Sequence, residues 1–350
     1  MIKPSFLSLP IYAFELSDKS YKYLRLKSTA LGMMLEEAGE GEIPARVLEH
    51  GEIKQPEILT AILAELFAKK KIRFAAISLP EEKGYLRNIK LAGIKEEEIE
   101  EALKLQLEEQ VPLPPPEIVF NYNLVKDHKD HFDVVLVAFS KNLVNSYLDI
   151  FSKAGAIPVW VDSELAASVE AVVPRTFDKT AMLMDWGKTR VSFAIAENRV
   201  LRFASTVQVG GDTMDEAISK SLGVDLKKAE ELKKETGFNE KTGDRRIFQA
   251  LLPIVASMKE EAEKYMLFWQ THSEEKQIPS KLFLSGGDAN LIGLKSYLQK
   301  ELGLEVATAD PWVNIKFPPK YVPEIEKKDS VRFSSAIGLG LYALKKEMDL

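Results

Sequence analysis

The chain repeats one arrangement near its start and near its middle: an apolar strand ends in an acid, a polar turn follows, and a second strand returns. The first copy runs Ala13-Phe14-Glu15-Leu16, then Ser17-Asp18-Lys19-Ser20, then Tyr21 to Leu26. The second runs Ala181 to Asp185, then Trp186-Gly187-Lys188-Thr189-Arg190, then Val191 to Ala196. Two such openings, each followed by alternating strands and helices, predict an α/β fold with two related lobes. Facing tight turns of this kind cradle a phosphate chain with backbone N–H groups, while carboxylates hold Mg²⁺ or its waters. An acid at such a place also simply stabilises a hairpin turn, and spacing alone leaves both readings open.

The elements between these hairpins follow from periodicity. A helix is expected over Pro56 to Lys71, with Ile58, Leu59, Ile62, Leu63, Leu66 and Phe67 on one face. Strands are expected over 74–79, 84–91, 118–125, 132–139 and 157–162, and helices over 96–110, 142–154 and 164–173. The run Val111-Pro112-Leu113-Pro114-Pro115-Pro116 cannot continue a helix. In the second half, Val200 to Val209 reads as a strand and 226–236 and 245–272 as helices. Leu282 to Ser285 reads as a strand, and Val331 to Lys346 as a C-terminal helix. Gly39-Glu40-Gly41 reads as a surface turn.

Two Gly-Gly-Asp turns follow strands and are expected to open helices: Gly210-Gly211-Asp212, running to Leu222, and Gly286-Gly287-Asp288, running to Leu302. Glycine there lets a ligand approach the backbone, and a helix N-terminus favours an anion. The alternative is that the glycines only make the turn and the aspartates cap the helix. The pairs Lys227-Lys228 and Lys233-Lys234 and the run Lys69-Lys70-Lys71 read as solvated helix faces. His128 and His131 flank a charged turn and form a weak metal candidate, while His50 and His272 lie elsewhere.

Composition excludes several classes. Among 350 residues there is no cysteine, which removes disulfides, thiolate metal sites and cysteine nucleophiles. The net charge of −6 lacks the basic footprint of a general nucleic-acid binder. No charge-free stretch exceeds twelve residues (Phe333 to Leu344), short of the about 20 needed to span a membrane. The segment Met1 to Pro10 lacks the long apolar core of a signal peptide, so a cytosolic chain is expected. No Walker A, Gly-x-Ser-x-Gly or His-Glu-x-x-His pattern occurs.

Four stretches stand out by their order and spacing: Leu86 to Asn121 (Leu-Arg-Asn-Ile-Lys-Leu through Glu-Gln-Val-Pro-Leu-Pro), Val134 to Asp162, Val207 to Gly237, and Leu282 to Pro311. Together they resemble the PilM family of type IV pilus assembly proteins and, more distantly, FtsA. The resemblance implies an actin/Hsp70-like two-lobed ATPase fold with an inserted small α+β subdomain. The lobes would be residues 1–83 plus 162–178 and residues 179–350, and the insert residues 84–161.

It also implies an ATP–Mg²⁺ cleft. Glu15, Ser17, Asp18, Lys19 and Ser20 match the first phosphate turn, and Asp185, Gly187, Lys188 and Thr189 the second. Gly210 and Gly211 would approach the nucleotide, Ser285-Gly286-Gly287 match the adenosine motif, and Glu15 and Asp185 face the metal. Glu164 stands where related ATPases place a water-orienting residue. Ser17 in place of glycine and Glu15 in place of aspartate imply at most weak ATPase activity. The family works as a cytoplasmic scaffold, peripheral to the inner membrane through its partners. These are the N-terminal cytoplasmic tail of a PilN-like bitopic protein, the assembly ATPase and the platform protein. The tail's groove would be lined by parts of Phe74 to Tyr85 and the Ile118 to Phe139 strands. A nucleotide-free structural adaptor and an active phosphotransferase of the same fold are the alternatives.

Overall fold

The computed structural model describes residues 9–240, 243–273 and 276–349. The segment Met1 to Ser8, read above as lacking a signal peptide, lies outside them. Two five-stranded sheets carry the same connectivity. The first joins β1 (Ile11–Leu16), β2 (Ser20–Thr29), β3 (Gly32–Glu42), β6 (Phe74–Leu79) and β10 (Ile157–Ser163) in the order β10-β6-β1-β2-β3. The intervening β4 (Leu48–Glu49) and β5 (Glu52–Ile53) make a separate two-stranded ribbon. The second large sheet joins β11 (Ala181–Trp186), β12 (Val191–Glu197), β13 (Val200–Val207), β14 (Lys281–Ser285) and β15 (Glu305–Thr308) in the order β13-β12-β11-β14-β15. In each, a central strand pairs antiparallel with the hairpin strand beside it and parallel with the next strand on its other side. Central strands buried on both faces read as apolar runs, as Ile-Tyr-Ala-Phe and Ala-Met-Leu-Met do here. The two lobes are thus α/β units built on one plan, as expected.

Helix α1 (Pro56–Lys70) starts on proline, whose missing N–H costs nothing at that position. It covers the first sheet with Leu59, Leu63 and Phe67. A third sheet of β7 (Tyr85–Ala92), β8 (Ile118–Asp127) and β9 (His131–Ser140), in the order β7-β9-β8, packs on α2 (Ile99–Gln110) through Ile99, Leu103 and Leu107. The expected insert, residues 84–161, runs past this unit. Helix α3 (Lys141–Lys153) buries Tyr147, Ile150 and Phe151 against Phe14 and Phe67, and β10 pairs with β6. Both elements belong to the core of the first lobe.

The lobes share one core. Helices α4 (Glu164–Val172) and α10 (Ser334–Asp349) cross between the sheets, and α10 packs on β1 and β2. Their crossing is close because of Gly338: a Cβ there would lie 1.7 Å from the carbonyl oxygen of Ala167. On the outer face of the second sheet lie α5 (Gly211–Leu222), α6 (Leu226–Thr236), α7 (Arg245–His272) and α8 (Leu294–Leu302). The short α9 (Lys327–Ser330) leads into α10. Among the described residues, no helix is long and apolar enough to cross a membrane.

Three local expectations need correction. Gly39 and Gly41 sit within β3, opposite Tyr23 and Tyr21, whose rings occupy the space a side chain would take. The glycines therefore serve cross-strand packing and not a turn. Gly287 to Asn290 forms a 3₁₀ turn, and the helix begins only at Leu294 after Gly293. The strand from Val200 stops at Val207.

Candidate functional site in the interlobe cleft

The equivalent ends of the two central strands meet across a cleft of about 910 Å³. Glu15 is the penultimate residue of β1 and lies opposite Lys22, and Asp185 is the penultimate residue of β11 and lies opposite Ser192. The two acids are therefore counterparts in the doubled sheet. Lys22 Nζ donates to Glu15 Oε1 at 2.6 Å. Burial pushes the Glu15 carboxyl up, against the pull of Lys22. Burial also works against the Lys22 ammonium, but Glu15, Asp185 and Glu164 outweigh it and raise its pKa. Asp185 is pushed up to about 7 by burial, with Glu164 and Glu15 adding repulsion.

Glu15, Ser17, Lys19, Ser20, Glu164, Asp185, Gly187, Lys188, Thr189, Gly286 and Gly287 all line the cleft. Ser17, where the second turn has Gly187, folds its hydroxyl back on Ser20, 2.9 Å from the carbonyl oxygen. Its side chain is thus held within its own turn. Gly286 adopts φ +88, and a Cβ there would lie 2.4 Å from the carbonyl oxygen of Trp186, so only glycine fits against β11. Gly287 has open space around it.

Four expected residues do not line the cleft. Asp18 turns toward Arg190, 3.7 Å away, and accepts from the Gly51 N–H. Gly210 and Gly211 close on the second hairpin: Gly211 N–H donates to Gly187 O at 3.0 Å. A Cβ on Gly211 would meet Asp288. Ser285 is fully buried and donates to Ser334 Oγ at 2.7 Å. Neither aspartate of the Gly-Gly-Asp turns serves as a side-chain cap. Asp212 pairs with Lys19 across the cleft, and Asp288 pairs with Lys233 at 3.0 Å.

The remaining lining residues were missed or misread. Lys233, read as solvated, is 3% exposed and joins Asp215, Asp288 and the Gly211 carbonyl, tying α5, α6 and the 286–288 turn together. Its charge faces a partner set that sequence distance hides. Lys22 was legible: a four-residue turn at Ser17–Ser20 places it opposite Glu15. Arg190, in the second hairpin, donates to Glu164 at 2.9 Å and to Glu82 at 3.2 Å. Glu164 itself is the first residue of α4, where a carboxylate is favoured.

Chemically, this is a glycine-lined cleft in which lysines and arginines are interleaved with carboxylates. Lys19, Lys22, Lys188, Lys234 and Arg332 can meet phosphates. Asp185, whose pKa is raised by desolvation and by the neighbouring Glu164 and Glu15, suits a divalent cation. Among the described residues, Glu15, Glu164 and Asp185 do not converge into a three-ligand cage. That donor set fits magnesium held chiefly by water and phosphate.

Comparisons with known proteins agree with this architecture. A solved PilM–PilN type IV pilus biogenesis complex is 22% identical and covers 96% of this chain and 99% of that chain, with a TM-score of 0.80. MreB5 of Spiroplasma citri bound to ADP is 13% identical over 98% of both chains, at 0.60. The ethanolamine utilization protein EutJ from Carboxydothermus hydrogenoformans is 14% identical over 96% of this chain and 92% of that one, at 0.56. These likenesses show the actin-like fold. The family described as type IV pilus assembly protein PilM matches residues 14–344. With nearly its whole length matched, this chain belongs to the PilM family of type IV pilus assembly proteins.

Proposed function

We propose that this chain is the cytoplasmic scaffold of an inner-membrane pilus or related secretion assembly, and that it holds the extended N-terminal tail of a PilN-like membrane protein. The observation that carries the reading is a groove of about 390 Å³ between two sheet edges. One wall is β8, the outer strand of the three-stranded sheet, and the other is β10, the outer strand of the first lobe. Leu79, Val137, Phe139 and Trp160 supply an apolar lining, and Asp162 supplies a half-buried carboxyl pushed up to about 6 by desolvation. An extended segment gains affinity from backbone pairing on an open edge and specificity from such pockets. The solved relative pairs PilM with PilN, which supports this class of partner. The assembly ATPase and platform protein are proposed as further partners of the scaffold on family grounds.

The interlobe cleft is assigned to ATP–Mg²⁺. Lys19, Lys188 and the backbone of the two hairpins would hold the phosphates, with Asp185 on the metal side. The ion would neutralise phosphate charge there. Hydrolysis is weak at most, because the Glu164 carboxylate is engaged by Arg190. The second reading, a nucleotide-free adaptor, draws on the same fact: the Glu15–Lys22, Lys19–Asp212 and Arg190–Glu164 charges are already matched within the protein. Calorimetry separates the two. Mg-ATP binding that falls about tenfold or more in Asp185→Asn supports the cleft assignment, and no heat with the wild-type chain supports the adaptor. A synthetic peptide copying a PilN-like N-terminal tail tests the scaffold reading. Absence of binding at high micromolar concentration overturns it.

A further inference from the structure

The tip of the β8–β9 hairpin gathers two of the chain's four histidines around one carboxylate. His131 and Asp133 stand two residues apart on β9, so they share a face of the strand. His128 is brought to them by the turn, whose backbone closes with its N–H on the His131 carbonyl at 2.9 Å. One nitrogen of each ring and an Asp133 oxygen all lie within 4.8 Å of one another. Asp133 is 7% exposed, deeper than a hairpin-tip carboxylate needs to be.

The hydrogen bonds assign the protons. His131 Nδ1 lies 2.8 Å from Asp130 Oδ1, and an ionised carboxylate only accepts, so Nδ1 carries the hydrogen. In that tautomer the lone pair lies on Nε2. That nitrogen is buried, lacks a hydrogen-bond partner and faces Asp133 Oδ1 at 3.6 Å. A lone pair set against a carboxylate oxygen is a site waiting for a cation. The other oxygen of Asp133 meets His128 Nε2 at 3.0 Å. A tetrahedral ion with ligands about 2.0 Å away holds them roughly 3.3 Å apart, and each ring nitrogen stands near that distance from one of the two Asp133 oxygens. Asp130 is placed as the outer partner that fixes the His131 tautomer, the usual support of a metal-bound imidazole.

We propose that His128, His131 and Asp133 form a site for one divalent transition-metal ion of the zinc type, with Asp130 as its outer support. The two imidazoles are stacked, with centroids 4.3 Å apart and planes 8° from parallel, so one ring turns out of the stack to aim its lone pair at the shared ion. The ion would take the place of the proton shared by His128 and Asp133. It would leave coordination positions open to water or to a group from a partner. Lys90 and Lys126 stand opposite Asp133 on the neighbouring strands and supply the charge an ion has to outcompete. The site is distinct from the interlobe cleft and from the β8–β10 groove, since none of its three ligands lines either.

The test uses the full chain, stripped with a chelator and titrated with Zn²⁺ by calorimetry and with Co²⁺ by visible absorption. The expected result is one equivalent bound, with a cobalt spectrum free of thiolate bands because the chain has no cysteine. Asp130→Asn weakens binding on the order of tenfold, and the His128→Gln/His131→Gln double variant weakens it further. His50→Gln/His272→Gln leaves it unchanged. Imidazole nitrogen NMR of the wild-type chain gives a reading independent of the variants' folding: both Nε2 resonances shift on adding Zn²⁺. Failure to bind one equivalent, binding that survives the double variant, or unmoved His128 and His131 resonances overturns the proposal.

Discussion

Arg190 of the second lobe reaches across the cleft and donates to Glu164, the first residue of α4, at 2.9 Å. The same guanidinium meets Glu82 at 3.2 Å and lies 3.7 Å from Asp18, so one buried cation holds three carboxylates of the first lobe. Those carboxylates raise its pKa against the opposing effect of burial, and it stays charged throughout. The expected water-orienting carboxylate is thereby part of an interlobe clasp.

Removing the clasp leaves three carboxylates facing each other without a cation. Arg190→Ala is expected to cost about 3 kcal/mol of stability, the usual penalty for stripping one partner from a buried pair. Urea unfolding measures it. A loss within experimental error means the charges relax into solvent and the clasp is idle.

The helix crossing makes a sharper demand. Gly338→Ala puts a methyl 1.7 Å from the Ala167 carbonyl oxygen unless α10 moves away from α4. Overpacking of this kind is expected to cost on the order of 3 kcal/mol and to lower the melting temperature. Gly287→Ala, which meets open space, serves as the neutral comparison.

Stability depends on pH through buried carboxyls. Glu81 is pushed up to about 7 by burial, although its oxygen accepts the Leu165 N–H at the start of α4. Asp185 shifts the same way, to about 7. An acid whose pKa is higher folded than unfolded binds more protons when folded. Its contribution is complete below the unfolded value near 4.5 and disappears as pH rises through about 7. The share of Glu81 is about 3 kcal/mol at 1.36 kcal/mol per pKa unit. Unfolding free energies measured across that window should fall with rising pH, and Glu81→Gln should flatten the fall. An unchanged slope in the variant rules out Glu81 as the source.

Groove occupancy is testable at Val119, an exposed apolar residue on β8. Val119→Glu places a charge in the lining without touching the core. Peptide affinity is expected to drop on the order of tenfold at an unchanged melting temperature. Full affinity in this variant would move the tail to another surface.

Much of this was written in local sequence. The paired hairpins, the acid at the end of each central strand and most helices follow from period and turn chemistry, because those depend on neighbours a few residues apart. The hairpin turn at Ser17–Ser20 even sets Lys22 opposite Glu15. Gly39 and Gly41 escaped because a glycine under a cross-strand tyrosine looks the same in sequence as a glycine in a turn.

Sequence by itself determined the doubled α/β plan, the lack of a twenty-residue apolar span and the exclusion of thiol chemistry. Tertiary structure decided which charges meet. Arg190 finds Glu82 and Glu164, Lys233 finds Asp215 and Asp288, and β8 comes to face β10 across a groove. Secondary structure is fixed by hydrogen bonds and side-chain period along the chain. These pairings arise only when separately formed elements dock, and no spacing rule connects their partners.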